Sequence, residues 1–163
     1  FKMAYEDNLF IEGGANKILK YPGLEADDCL AIMTKKIKKT FPEGKITIIT
    51  SDMDYLQLAC ENVELYDLKY KKLTERKSSY NNAEKDLFVK ILIGDKSDNI
   101  KGVFKKCGPK TACKYYDNRE LFQDKLNKEK GAMERYLLNK KIIDFNEIPE
   151  ELEKNFLESY NIN

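Results

Sequence analysis

The first part of the chain alternates short apolar runs with polar turns, a pattern that predicts strands joined by helices. Residues 45–50 (KITIIT) are β-branched and apolar, which is typical of a buried strand in a mostly parallel sheet. Residues 55–60 are predicted to form a short helix, and residues 63–68 a second strand. A strand, a helix and a strand in this order favour an α/β layer architecture with a right-handed crossover.

Helical periodicity dominates on both sides of this region. A helix is predicted over residues 24–39, with Cys29, Leu30, Met33 and Ile37 on one face. Further helices are predicted over residues 2–12, 82–93, 109–116, 118–126, 128–139 and 149–160. Strand signals become sparse after residue 94, so we predict an α/β fold, a mostly parallel sheet flanked by helices, followed by a helical region.

Composition narrows the chemistry that this chain can perform. The 163 residues include no histidine, which excludes imidazole acid–base catalysis, Ser-His-Asp and Cys-His nucleophile systems and most zinc enzymes. Lys and Arg number 29 against 28 Asp and Glu, so the net charge gives no argument for a polyanionic partner. Hydrolysis by such a chain would depend on hard metal ions with oxygen ligands, such as Mg²⁺ or Mn²⁺.

The sequence shows no secretory leader, no long apolar run and no CxxC pair among its four cysteines. These observations predict a soluble protein of a reducing compartment that has no membrane partner.

Three acidic clusters lie where predicted elements begin or end. They are Glu25-Ala26-Asp27-Asp28 at a helix start, Ser51-Asp52-Met53-Asp54 directly after the first strand, and Gly94-Asp95-Lys96-Ser97-Asp98-Asn99 at a helix exit. Each cluster has an ordinary structural explanation by itself. The helix dipole favours acids in a first turn, and Asp, Ser and Asn are common in caps and turns.

The three clusters together predict a metal site. In open α/β sheets, ligands bind at the carboxyl ends of the strands, where the second cluster emerges. Seven carboxylates gathered in one cleft would repel one another unless cations neutralised them. Two divalent ions about 3.5–4 Å apart would neutralise them, activate a water and stabilise the attacking and leaving oxygens of a phosphoryl group. No protein nucleophile is then required.

A lysine-rich turn follows the third cluster. Glycines bracket residues 102–108, and Pro109 suits the first position of a helix whose N–H groups can bind an anion. Lys101, Lys105, Lys106, Lys110 and Lys114 supply a local basic cluster that could hold phosphates. A solvated loop between helices is the alternative interpretation. A nucleotide-binding P-loop is excluded by the glycine spacing and by Pro109 at the lysine position.

The strings EADD, SDMDYLQL, GDKSDNIKGV and GPKTA, in this order, resemble the flap endonuclease and 5′ to 3′ exonuclease family, which includes the nuclease domain of bacterial DNA polymerase I and phage relatives. The resemblance extends from about residue 17 to residue 112. It implies a PIN-like, resolvase-like α/β fold followed by a helix-three-turn-helix. Residues 1–98 would then be the carboxyl-terminal part of a metal-dependent nuclease domain, and residues 99–163 its helical DNA-binding region.

The resemblance also implies the site residues. Two Mg²⁺ or Mn²⁺ ions would be bound, with Glu25, Asp27 and Asp52 nearest the first and Asp54, Asp95 and Asp98 favouring the second. Asp28 belongs to the same ligand set, and Asp27, Asp52 and Asp54 are the expected catalytic residues. The residues expected to contact DNA are Lys101, Gly102, Val103, Lys105, Lys106, Gly108, Lys110, Thr111 and Lys114. A K⁺ ion often accompanies such a turn in this family.

The implied activity is hydrolysis of DNA phosphodiester bonds in replication or repair, in the cytoplasm or nucleoid. The expected partners are DNA, as a 5′ flap, a nick or a primer-bearing duplex, and replication proteins. Two alternatives remain open: a non-catalytic DNA-binding or replisome-docking fragment, and a ribonuclease of the related PIN class.

The sequence departs from the family pattern in two places. Residues 104–107 (FKKC) stand where the family has a shorter, glycine-containing link, which weighs against the K⁺ ion. Family members also begin with an aspartate-bearing strand and a basic helical arch, and neither precedes Phe1. We therefore expect that a segment outside this sequence, or a second chain, supplies the amino-terminal part.

Overall fold

The computed structural model describes residues 2–162, which form eight α-helices and a two-stranded parallel sheet. The helices are α1 (Lys2–Glu6), α2 (Leu9–Glu12), α3 (Ala26–Thr40), α4 (Ala83–Ile93), α5 (Pro109–Asp117), α6 (Arg119–Lys128), α7 (Ala132–Ile143) and α8 (Glu150–Ser159). The strands are β1 (Ile46–Ile49) and β2 (Val63–Tyr66). Three 3₁₀ helices cover Met53–Leu58, Leu73–Glu75 and Phe145–Glu147. The predicted α/β class is confirmed.

The sheet forms as the sequence pattern predicts, and the connection between its strands contains a 3₁₀ helix. β1 and β2 pair in parallel with Ile46 opposite Val63 and Ile49 opposite Tyr66. The predicted helix over residues 55–60 is the 3₁₀ helix Met53–Leu58. Ile48 points into the core, whereas the side chain of Ile49 is 58% exposed on the opposite face.

Three apolar clusters hold the elements together. The first surrounds the sheet and includes Ile48, Leu56 and Leu65. The second lies among α4, α5, α6 and α7, and the third joins α3 to α8 through Ile32 and Phe156. Each acidic cluster therefore follows or precedes an element that is anchored by its own buried side chains.

Two sequence predictions about the helices need correction. The helix predicted over residues 2–12 is two short helices, because Asn8 adopts a left-handed conformation with φ of 54° between them. The buried face of α3 is also wider than predicted. It includes Ala31, Ile32 and Thr34 beside Cys29, since α3 packs against both the sheet cluster and α8. Met33 and Ile37, predicted on the buried face, are only partly buried.

No helix within residues 2–162 is both long enough and apolar enough to cross a membrane.

Candidate metal centre and nucleic-acid interface

The second acidic cluster leaves β1 at its carboxyl end, as predicted. The backbone N–H of Asp52 donates to Thr50 Oγ1 over 3.1 Å, and Asp52 Oδ1 accepts from the N–H of Asp54 over 2.9 Å. Asp52 is thus the cap of the 3₁₀ helix that follows. This cap turns Asp54 inward, and its side chain is half-buried.

The third cluster forms a closed loop after α4. The backbone N–H of Asp95 donates to the carbonyl of Ile100 over 2.9 Å, and Ile100 donates back over 2.6 Å. The N–H of Ser97 donates to Asp95 Oδ1 over 2.7 Å. This loop, the aspartate loop (residues 94–100), brings Asp98 toward Asp54. Oxygens of Asp54, Asp95 and Asp98 all lie within 4.8 Å of one another.

The first cluster begins α3. The N–H of Glu25 donates to Asp28 Oδ2 over 3.0 Å, and the N–H of Asp28 donates to Asp27 Oδ1 over the same distance. The capping role expected for acids in a first helical turn is therefore present. Capping leaves carboxylates of this cluster available for other contacts, because Glu25 stays exposed and Asp27 faces the negative charge of Asp52.

All three clusters converge on one open cavity of about 720 Å³. Its lining includes Glu25, Asp27, Asp28, Asp52, Asp54 and Asp98. The seventh predicted carboxylate, Asp95, joins them through its contact with Asp54 and Asp98. The rest of the lining is largely apolar and comes from Tyr55, Ile100 and the end of α7.

The electrostatics of the cavity reflect crowded negative charge. Burial, together with the charges of Asp28 and Asp52, raises the pKa of Asp27. Burial also raises the pKa of Asp54, and the charges of Asp52 and Asp95 add to that effect. Burial and the nearby aspartates raise the pKa of Tyr55 to about 12, so its hydroxyl stays protonated at neutral pH.

Lys90 is a site residue that sequence reasoning missed. Its ammonium lies 2.6 Å from Asp54 Oδ1 and also forms an ion pair with Asp95. Burial opposes its charge, but the hydrogen bonds and charges of both aspartates together raise the pKa of Lys90. The hydrogen bond from Lys90, with help from Ser97, lowers the pKa of Asp95. A single lysine inside the apolar run of α4, five residues before Asp95, was the available signal.

The residues present fit a hard metal ion. Asp54 Oδ1 is buried 2.6 Å from the Lys90 ammonium, so a positive charge already lies beside it. A buried carboxylate is costly unless a cation pairs with it, so this position favours positive charge. The donors at this point are all carboxylate oxygens, which are the ligands that Mg²⁺ and Mn²⁺ prefer.

The lysine-rich turn presents its charges outward. Val103 and Phe104 are buried in the cluster among α4 to α7, so Val103 could contact DNA only through its backbone. The side chains of Lys101, Lys105, Lys106, Lys110 and Lys114 are exposed. Within residues 2–162 none of these five lysines forms an ion pair with a carboxylate. Gly108 caps α5, which begins at Pro109. Proline has no N–H, and the N–H of Thr111 donates to the carbonyl of Gly108 over 3.0 Å, so the N–H of Lys110 is the donor that the first turn leaves for an anion.

Comparison with known proteins supplies the family. Residues 9–92, just over half of the chain, match the model of the 5′-3′ exonuclease, N-terminal resolvase-like domain. The chain belongs to this family. The matched residues contain the first two acidic clusters, both strands and most of α4.

Relatives of the chain include nucleases of bacterial and phage origin. The chain is 34% identical to a 5′-3′ exonuclease of Mycoplasmopsis pulmonis, over 88% of this chain and 54% of that protein. It is 34% identical to a ribonuclease H of Enterobacteria phage T4, over 84% of this chain and 48% of that protein. The chain thus spans about half the length of these two relatives.

A solved structure shares the fold. A bacteriophage T5 flap endonuclease, crystallised as a pseudo-enzyme-product complex with DNA and metal ions, superposes with a TM-score of 0.71. The match covers 99% of this chain and 68% of the phage protein, at 19% identity. The similarity extends the fold assignment beyond residue 92 to the helical region.

Proposed function

We propose that this chain forms the carboxylate site and the DNA-holding surface of a 5′ nuclease that hydrolyses DNA phosphodiester bonds with two Mg²⁺ or Mn²⁺ ions. The observation that carries the proposal is the convergence of three acidic clusters on one cavity in a member of the 5′-3′ exonuclease family. The comparisons do not favour the non-catalytic alternative. DNA and metal ions in the T5 relative support both proposed ligands.

Two groups of carboxylates would hold the ions. Asp54, Asp95 and Asp98 are close enough to share one ion. Glu25, Asp27 and Asp52, which line the same cavity, would hold the other, with Asp28 beside them at the start of α3. When bound, the ions supply the activation of water and the neutralisation of charge on the reacting phosphate. We infer that the Lys90 ammonium offsets negative charge at Asp54 and Asp95, and that it would move aside when an ion binds there.

The lysine-rich turn would hold the DNA strand that leads into the cavity. Exposed lysines and the N–H of Lys110 in the first turn of α5 would contact phosphates without reading the base sequence. Binding should therefore weaken steeply with added salt. The K⁺ ion expected from the family at this turn, and the division of the chain at residue 98, stay predictions.

The sheet supports the prediction that another segment completes the nuclease. Within the described residues β1 pairs only with β2. Ile46 and Thr50 donate to the β2 side, so the N–H groups of Thr47 and Ile49 point to the open edge. Parallel strands are normally covered on both faces. We propose that a further strand, from the same gene product or from a second chain, pairs with β1.

Metal binding and cleavage test the proposal separately. Mn²⁺ titration followed by electron paramagnetic resonance should detect two bound ions, and Asp54→Asn or Asp95→Asn should abolish at least one of them. Asp52→Asn should slow cleavage of a flapped duplex by more than about 100-fold, since even supporting residues of a metal site can cost 10–100-fold. Duplex binding, measured in Ca²⁺, should change little.

The matched control is Asp124→Asn, which removes an exposed carboxylate of α6 that is paired with Lys128. It should bind Mn²⁺ and cleave DNA as the original chain does. Cleavage is assayed with this chain and with the natural gene product, so that the contribution of any additional segment is measured. Unchanged turnover of Asp52→Asn, or no Mn²⁺ binding by the original chain, would disprove the metal role.

Substrate choice discriminates the ribonuclease alternative. A 5′ nuclease of the proposed kind should cut the flapped DNA duplex faster than single-stranded RNA. The exposed lysines of the turn that follows the aspartate loop would bind the phosphates of either nucleic acid, so the substrate has to be decided by the cleavage rates. Faster cleavage of the single-stranded RNA would favour the PIN-class ribonuclease.

A further inference from the structure

Asn139 on α7 binds the backbone at two points near the candidate site. This side chain is 3% exposed. Its Nδ2 donates to the carbonyl of Ile91 over 2.9 Å and to the carbonyl of Lys101 over 2.8 Å. Both N–H groups of the amide are therefore used. Ile91 belongs to the last turn of α4, and Lys101 is the first residue after the aspartate loop.

Two further side chains bind the same stretch of backbone. Arg135 lies one helical turn before Asn139, and its Nε donates to the carbonyl of Val103 over 2.8 Å. Glu129 Oε1 accepts from the N–H of Lys105 over 3.0 Å, and the guanidinium of Arg135 pairs with the same carboxylate. Every second residue from 101 to 105 is thus bound through its backbone by a polar side chain from residues 129–139.

These contacts connect the metal site to the lysine-rich turn. Ile100 closes the aspartate loop by bonding to Asp95, and Lys101 follows it directly. The N–H of Val103 donates to the carbonyl of Leu92, so the chain leaving the loop lies along the end of α4. Asn139 fastens these two segments together at the point where the loop ends and the turn begins.

We propose that Asn139 is a positioning residue, which sets the distance between the DNA-holding turn and the carboxylates and so determines which phosphodiester bond lies at the metal site. This inference rests on the proposed nuclease function. Arg135 has the same role but a smaller effect on the position of the turn, because it is partly exposed and binds one carbonyl of the turn. Catalytic rates are sensitive to displacements of about 1 Å between a bound substrate and the reacting groups.

A merely stabilising asparagine would give a different result from a positioning one. Loss of stability lowers the amount of folded protein and reduces cleavage at every phosphate equally. Loss of positioning leaves DNA binding intact and spreads cleavage over neighbouring phosphates. The distribution of cut sites therefore separates the two roles.

The experiment uses Fe²⁺ as a probe that reports the position of the metal site even where hydrolysis is slow. Fe²⁺ bound to the full chain on a flapped duplex, with ascorbate and hydrogen peroxide added, generates radicals that break the DNA nearest to the ion. The original chain should produce a narrow group of breaks. Asn139→Ser should spread them over about twice as many nucleotides, with a Kd for DNA within about twofold.

Matched controls and a second variant test whether the broader cleavage pattern is specific to the contacts of α7. Asn127→Ser makes the same change at an exposed position of α6 and should give the narrow pattern. Arg135→Met should broaden the pattern, Arg135→Lys should restore much of the narrow one, and Arg119→Met is the matched arginine control. Arg135→Met decides the question if Asn139→Ser does not fold.

Two negative outcomes are distinguishable. Narrow, unshifted breaks in folded Asn139→Ser or Arg135→Met would overturn the positioning role while leaving the nuclease function intact. Failure of the original chain to produce any localised breaks on bound DNA would reject the metal site itself, and the positioning role with it.

Discussion

The aspartates of this chain have different proton affinities because their neighbours differ. Asp54 is half-buried among other acids, and burial raises its pKa despite the contact with Lys90. Asp95, which bonds to the same lysine and to Ser97, has a lowered pKa. Asp67 lies outside the cavity, where the N–H of Lys71 and the Arg76 guanidinium lower its pKa to about 2. Sequence alone gives all three the same residue type.

The Asp67 carboxylate should stabilise the fold in a defined range of pH. Its folded pKa, about 2, is below the ordinary value of 3.8, so the unfolded chain binds this proton more tightly. The stabilisation is then fully present above about pH 4 and is lost as the pH falls to about 2. Asp67→Asn should lower the urea midpoint of unfolding at pH 7. The difference in midpoint between this variant and the original chain should shrink as the pH falls from about 4 to about 2.

Asp124→Asn is the control, because its exposed pair with Lys128 contributes little to stability. A difference between Asp67→Asn and the original chain that stayed constant from pH 7 down to pH 2 would contradict the role of the charge.

At the scale of elements, the aspartate loop depends on how α4 ends. Gly94 has φ of +72°, a conformation that other residues adopt with strain. A Cβ at this position would meet the carbonyl oxygen of Ile100 and would lie 2.8 Å from the carbonyl carbon of Lys101. Glycine at the end of α4 therefore allows residues 100–102 to pass close to the helix backbone. This close approach closes the loop that carries Asp95 toward Asp54.

Gly94→Ala should destabilise the protein by about 2 kcal/mol or more, since a strained backbone conformation and a steric contact both oppose the new methyl group. It should also weaken Mn²⁺ binding, because the loop must shift to relieve the contact. Urea unfolding and Mn²⁺ titration measure the two effects.

Gly108→Ala is the matched control. Its Cβ would meet no atom within 4 Å, and φ at Gly108 is −99°. The expected cost is about 1 kcal/mol, the typical cost of alanine at a helix N-cap. Equal destabilisation by the two alanine substitutions would show that the close approach at Gly94 is unimportant.

At the scale of the whole molecule, the end of the chain supports its beginning. Phe156 of α8 is fully buried beside Cys29 and Ile32 of α3. The hydroxyl of Tyr160 accepts from the N–H of Lys20 over 2.7 Å and donates to the carbonyl of Lys20 over 2.8 Å. The α3 helix that carries Asp27 is therefore held in place partly by residues more than a hundred positions later.

Phe156→Ala should lower the free energy of unfolding by about 3–5 kcal/mol, the usual cost of truncating a buried aromatic side chain. We expect a single unfolding transition, with far-ultraviolet circular dichroism and tyrosine fluorescence coinciding, because α8 is part of the common core. Leu138→Ala, at a 57% exposed position of α7, should change stability by less than about 0.5 kcal/mol. An early, separate loss of α8 would contradict this cooperativity.

The sequence by itself determined the class and order of the elements and the composition of the site. Both strands and the helices from α3 onward lie close to their predicted ranges, except that α7 begins and ends four residues later than predicted, because hydrophobic periodicity is a local property of the chain. The three acidic clusters and the lysine-rich turn were also visible as short motifs. Family membership, predicted from their order, is confirmed by the comparison with known proteins.

Only the tertiary structure decided which of these residues meet. Lys90 pairs with Asp54, and Asn139 bonds to a carbonyl 48 residues away, without any local pattern that predicts such a contact. The buried face of α3 likewise depends on two different packing partners. Periodicity identifies which side of an element avoids water, whereas the partners of a buried polar group are fixed by how distant elements pack together.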